Sequence, residues 1–261
     1  MARLFGFPPG YFVIRSAATS RLWDVTLDEV EDGTPVILWP EKEHSLVEGL
    51  RNPEANNQVF FIDTSGALCS RASGHAIDVE GDSIVVRHRR PVSQPYPNAY
   101  SHPLPQFSYH QETQEISVSF SCDPTYPPPG SAGSDGWQRR KYILSSVPMR
   151  RPKSLIDNAS ALISATVAAP LSFFSGNVST QPKSTPDEVF GGDIDLGEDE
   201  ILEQDRGEEG EVDDSLELHR NLRLLSIDPR GALPEGTSAR KRRQWQVLAL
   251  RTRSATRRSQ S

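Results

Sequence analysis

The segment Ile14–Val25, IRSAATSRLWDV, can be laid on Leu68–Val79, LCSRASGHAIDV, over twelve positions without a gap. Ser16 falls on Ser70, Ala18 on Ala72, and both segments end in Asp-Val, at Asp24-Val25 and Asp78-Val79. Gly33 and Gly81 each precede an apolar run, TPVILWP and DSIVVRH, and Phe60 falls on Phe107. The offsets are 54, 48 and 47 residues, and Ile116, 48 beyond Leu68, starts a third run, ISVSF. A period of this size marks a repeated supersecondary unit. The unit here is a set of short apolar runs, YFVIRS, RLWDV, TPVILWP and NQVFFID, separated by turn-rich SAATS, EDG and RNPEANN. Short β-prone runs bounded by turn residues read as strands. A unit of four such strands buries no face alone, so three units must share one core.

The order of the motifs carries a resemblance. A second strand ending in Asp-Val, a third strand reading apolar-x-Trp-Pro, and a fourth opening on Asn57-Gln58-Val59-Phe60 resemble the ricin B-type lectin family. The resemblance implies an all-β protein, a β-trefoil built from three degenerate four-strand lobes over residues 8–150. It also implies roles for the motif residues. Gln58 and Phe60 are structural, the glutamine tying the backbone of its lobe and the aromatic ring filling the shared core. Phe107 takes the same core position in the second lobe, and Asp78 keeps the Asp-Val motif there. A sugar pocket of this family draws on the Asp of Asp-Val, an aromatic on the third strand, and the Asn before the glutamine. In the first lobe these are Asp24, Trp39 and Asn57. Such a set suits a sugar, because carboxylate and amide bind hydroxyls while an indole face covers the sugar's C–H face. Ile37 stands where a further polar partner is common, and the charged loop 41–56 is placed to reshape the pocket. In the second lobe the aromatic position falls on Arg87 and the Asn position on Leu104. In the third, Cys122-Asp123 is the remnant of Asp-Val that counting by the period selects.

Charge divides the rest of the chain. From Asp187 to Glu217 there are fifteen Asp or Glu against one Arg. From His219 to Ser261 there are eleven Lys or Arg against two acids. The acidic segment 187–217 is too polar to bury a core and reads as a disordered linker. Before it, 151–186 is apolar and rich in small residues, with a short helix predicted up to Ala169 before Pro170. Beyond it, NLRLLSID and RQWQVLAL read as a β-hairpin within 218–250 that docks on the trefoil or completes it, with Trp245 buried. Residues 251–261 form a basic disordered tail.

The pattern gives little ground for chemistry or for a membrane. Cys69 and Cys122 have no metal-ligand spacing, no His-x-x-x-His pair is present, and no phosphate-binding glycine loop or nucleophile elbow occurs. We therefore expect no enzyme, no metal and no cofactor. The opening MARLFGFPPGYF holds no run of signal-peptide character, and no stretch is long enough to span a bilayer. These features favour a cytoplasmic location, with the basic ARKRR at 239–243 adding a nuclear option and Asn158 and Asn177 unglycosylated. The first function expected is carbohydrate binding. An interaction scaffold that has lost sugar binding is the alternative, with a protein partner on the proline- and tyrosine-rich 87–105 loop. A nucleic-acid partner at the basic end is the least favoured.

Overall fold

The structure, a computed structural model, describes residues 5–92, 97–128, 135–149, 213, 215–228 and 236–252. The apolar segment from Arg150, the acidic run through Val212, the basic tail from residue 253 onward and both Asn-x-Ser sites lie outside the described residues. By contact, the described residues up to 149 and from 216 on make one compact unit. No helix among the described residues is long and apolar enough to cross a membrane.

The repeat seen in the sequence returns in the hydrogen bonding. Strand β1 (Tyr11–Ser16) turns into β2 (Leu22–Val25), and β5 (Leu68–Ser70) turns into β6 (Ala76–Glu80). In the first turn Ser16 N donates to Arg21 O at 2.8 Å and Ser20 N to Ser16 O at 2.9 Å. At the matching positions of the second lobe, Ser70 N donates to His75 O at 2.9 Å and Gly74 N to Ser70 O at 2.8 Å. Both turns need a left-handed residue, Ser20 at φ 58° in one and Gly74 at φ 72° in the other. Glycine takes that conformation without a Cβ clash; serine does so at a cost.

Twelve strands are present among the described residues, four to a lobe. The first lobe adds β3 (Val36–Trp39) and β4 (Phe60–Ile62). The second adds β7 (Ser83–Arg87) and β8 (Gln106–His110). The third consists of β9 (Glu115–Ser119), β10 (Lys141–Ser146), β11 (Arg220–Ile227) and β12 (Trp245–Ala249). Each lobe's middle strands form a hairpin: β2 with β3, β6 with β7, β10 with β11. The hairpins meet through β11, which pairs β3 at Arg220↔Leu38 and β7 at Arg223↔Ser83. Strand β1 pairs β4 and β12, and β4 pairs β5. This is a β-trefoil.

The C-terminal runs, predicted as a hairpin that docks on or completes the trefoil, do complete it, but as separate strands rather than as a pair. β11 is the partner of β10 over six residue pairs, Lys141↔Ile227 to Ser146↔Leu222. β12 crosses to the first lobe and pairs β1 over five, Phe12↔Ala249 to Ser16↔Trp245. The reason is burial on both flanks. A strand that closes a barrel must bond the first strand, and a free two-strand hairpin would leave edges unpaired. Between β11 and β12 a short helix, α2 (Thr237–Arg242), follows α1 (Gly136–Arg139) in chain order. It takes in most of the basic ARKRR run, where Ala239, Arg242 and Arg243 are buried.

The core is threefold like the strands. Ile14, Leu68 and Ile116 come from the first strand of each lobe, and Phe60, Phe107 and Trp245 from the fourth. The six are at most 1 % exposed. Trp23 joins two lobes, meeting Phe60 at 5.8 Å and 84° and Trp245 at 5.8 Å and 88°. Edge-to-face contacts of this kind add to the area term of buried rings. Phe60→Ala and Trp245→Ala should each lower the unfolding free energy by about 3–5 kcal/mol. Denaturant melts of the two variants measure this, and a loss below about 1 kcal/mol for either would contradict the shared core.

Candidate functional site

The strand pleat sorts the first lobe's side chains onto two faces, since successive residues alternate. On the β2–β3 hairpin, Trp23, Val25, Val36 and Leu38 face the core. Leu22, Asp24, Ile37 and Trp39 therefore share the outer face, with Asp24 opposite Ile37 and Leu22 opposite Trp39. Asn57 and Gln58 end a 3-10 turn, Pro53–Gln58, that is capped by Asn52 and has proline in its first turn. The turn lets the two amides arrive beside Asp24.

The structure brings Asp24 and Asn57 together in a closed arrangement. Asn57 Nδ2 donates to Asp24 Oδ1 at 2.9 Å and to Val25 O at 3.1 Å. Gln58 Nε2 donates to Asp24 Oδ2 at 2.8 Å and to Pro40 O at 2.9 Å, while its Oε1 accepts from Lys42 N at 3.0 Å. Gln58 thus ties the backbone after β3 to the carboxylate on β2. Lys42 Nζ stands 3.1 Å from Asp24 Oδ2 and forms the outward rim of the group. Asp24 is 2 % exposed and Asn57 0 %, while Trp39 is partly exposed. Asn57 Oδ1 is buried and accepts no hydrogen bond in this arrangement. The charged loop behind the group is fixed rather than open. Arg51 donates to Ser45 O at 2.5 Å, and the C-terminal segment bonds it through Glu48 N to Arg251 O and Arg251 N to Leu46 O.

The second lobe uses its equivalent carboxylate differently. Asp78 lies opposite Val85, as Asp24 lies opposite Ile37, and Arg87 lies opposite Ala76, as Trp39 lies opposite Leu22. Arg87 Nε donates to Asp78 Oδ2 at 2.6 Å, and Arg87 Nη2 reaches Glu80 at 2.9 Å. The Asn position predicted at Leu104 does not reach the carboxylate. Leu104 packs beside Ala67, Cys69 and Ala76, and His102 comes to Asp78 instead, Nε2 to Oδ2 at 2.9 Å. Burial alone would lower the His102 pKa; its hydrogen bond to Asp78 and that carboxylate's charge outweigh this and raise it. Burial pushes the Cys69 thiol up to about 11, so it stays protonated at neutral pH.

The third lobe has no carboxylate at this position. Its register puts Ser145 opposite Arg223, where the other lobes have Asp24 opposite Ile37 and Asp78 opposite Val85. Asp123, selected by counting from the repeat, sits in a turn after β9 and accepts from Thr125 N at 2.9 Å. The connection between β9 and β10 is longer than its counterparts, so a fixed offset lands short. Lys42 and His102 were not selected from the sequence. A lysine after Trp-Pro has no pattern of its own, and His102 is displaced two residues from the counted position. Among the described residues no group of three His, Cys, Asp or Glu is placed to hold a metal ion.

No family model and no curated protein matches the sequence. Solved structures similar to the chain include the C-half of an earthworm R-type lectin in complex with GalNAc, at 17 % identity, covering 53 % of this chain and 78 % of that one with a TM-score of 0.33. An earthworm lectin C-terminal domain mutant in complex with 6'-sialyllactose is 11 % identical, with 92 % and 98 % covered and a TM-score of 0.38. The mdaA-1 domain is 15 % identical, with 95 % and 98 % covered and a TM-score of 0.43. The assignment of the fold here rests on the strand order and the threefold register.

Gln58 and Trp39 separate the two roles within the first lobe. Gln58→Ala removes three hydrogen bonds and leaves a buried carboxylate oxygen short of a donor, at a cost of about 2 kcal/mol or more. Trp39→Ala, on the outer face, should cost less than Gln58→Ala. Thermal melts of the two variants give the order, and the reverse order would remove Gln58 from its structural role.

Proposed function

We propose that the first lobe binds carbohydrate, with Trp39 as the stacking face and Asp24, Lys42 and Asn57 as the polar set. The observation that carries this reading is the placement of a carboxylate, an ammonium and a partly exposed indole on one outward face of the β2–β3 hairpin and the turn after it. A sugar hydroxyl both donates and accepts, so it can accept from Lys42 while donating to Asp24. The unpartnered Asn57 Oδ1 supports the same chemistry, since a buried acceptor without a donor is costly and a hydroxyl satisfies it. Asp24 and Asn57 are buried beneath Lys42, so binding requires Lys42 to swing off the carboxylate. Lys42 is about one third exposed along its side chain and has room to do so.

A second reading is a protein partner at the 87–105 segment. It is favoured by Tyr100, 70 % exposed, and by a cleft of about 480 Å³ lined by Arg89, Arg90, Leu104 and Phe120. Arg89 pairs with Asp63 and Arg90 with Asp32, so the cleft is balanced in charge rather than strongly basic. The burial of Arg242 and Arg243 likewise gives a nucleic-acid role through the ARKRR run little support.

A glycan array with the full chain, followed by calorimetry on the sugars retained, tests the first reading. Trp39→Ala should abolish binding. Lys42→Ala should weaken it by about 1.5–3 kcal/mol, the range for a hydrogen bond to a charged group. Asp78→Ala should leave it unchanged where that variant folds. Asp24→Ala is a poor probe, because it also strips the partners from Asn57 and Gln58. A glycan bound equally by wild type and Trp39→Ala would refute the site, and retention of no glycan with capture at the 87–105 segment would favour the second reading.

A further inference from the structure

His102 has two acceptors and one carboxylate's worth of company. Its Nε2 lies 2.9 Å from Asp78 Oδ2, and its Nδ1 lies 2.8 Å from Asn98 O. Neither a carboxylate oxygen bearing Arg87 nor a backbone carbonyl can donate. A neutral imidazole has one N–H, so only the protonated ring satisfies both contacts. The ring is nearly sealed, with its side chain 2 % exposed, and both of its nitrogens are engaged, which leaves none to act as a base on a substrate.

The second acceptor belongs to a built turn. Asn98 N donates to Ser101 O at 3.0 Å and Ser101 N to Asn98 O at 3.1 Å, while Asn98 Oδ1 accepts from Tyr100 N at 3.0 Å. Ser101 Oγ donates to Pro91 O at 2.5 Å. Through His102 this turn is fastened to Asp78 on β6, in the place where the first lobe keeps its outward polar group. The groups facing the ring from each side are Asp78 on β6, Arg87 on β7, the Asn98 carbonyl on its own segment and the Tyr126 ring, 4.5 Å away between centroids. Glu80 holds the other end of Arg87, Cys122 lies near Asp78, and Arg89 and Arg90 line the adjoining cleft, each paired with an aspartate.

We propose that His102, as an imidazolium, latches residues 98–102 over the second lobe, and that the latch releases as pH rises. Loss of one proton removes one of two donors, so either the turn loses its Asn98 tie or the turn separates from Asp78. Release uncovers Asp78 and Arg87, which are buried in the latched state. The direction is fixed by linkage. The His102 pKa is raised in the folded protein, so the contribution is complete below the ordinary histidine value of about 6.5 and is lost as pH rises through the folded midpoint. The second lobe is therefore closed by the chain's own side chains in acid and loosened in base.

Two measurements on the full chain test this. Ring 15N spectra of the histidines, with His102 assigned through His102→Gln, should show both nitrogens protonated at pH 6 and a midpoint above about 6.5. Amide exchange at Tyr100 and Ser101, corrected for the intrinsic pH dependence, should lose protection through that same midpoint. In His102→Gln the corrected protection should be flat with pH. A neutral tautomer at pH 6, a midpoint at or below the ordinary histidine value, or wild-type protection that ignores the ring's titration would each overturn the proposal. Should His102→Gln not fold, the ring can be assigned from the wild-type spectra and both wild-type readings stand without the variant.

Discussion

The contact on which this fold depends is Trp23 wedged edge-on between Phe60 and Trp245. It joins the fourth strand of the first lobe to the fourth strand of the third, which the chain reaches only after residues 147–219. Four short strands cannot bury an apolar face by themselves, and buried residues from all three lobes supply the common core. Closing the barrel by β12 on β1 places almost the whole chain between paired strands. The loop-closure cost of that long connection grows only slowly with its length, so burial of Trp245 and five residue pairs can outweigh it.

Around that core the three lobes have diverged at one position. The outward residue of the second strand is Asp24 in the first lobe, Asp78 in the second and Ser145 in the third. A buried carboxylate needs partners, and each lobe that keeps one supplies them differently. The first lobe uses two amides and a lysine at the rim. The second uses an arginine and a histidine that leave no outward face. The third has removed the charge. A threefold scaffold thus carries one lobe proposed as a ligand site, one closed by its own side chains and one with an uncharged serine at that position.

Much of the fold was legible because its signals are local. The resemblance implied core places for Phe60 and Phe107, which the structure buries, and the alignment that matched Ser16 with Ser70 also matched their hydrogen bonds. Trp245 was legible as a buried strand residue, but its partner was not, because β12 pairs with a strand more than two hundred residues earlier. The third lobe was obscured by insertions, which carried Asp123 into a turn and hid the place of Ser145. At the sites, Asp24, Asn57 and Gln58 could be picked out by motif, whereas their mutual burial could not. Lys42 and His102 act through loop geometry that spacing does not encode.

The lobes differ in the partners of their second-strand residues, and the proposed sugar site lies in the first. The most direct measurement is a backbone and indole 15N spectrum of the full chain during titration with a glycan retained on the array. The Trp39 indole and the Lys42 amide should shift together, while Arg87 and His102 stay in place. Shifts confined to residues 87–105, with the Trp39 indole unmoved, would contradict it.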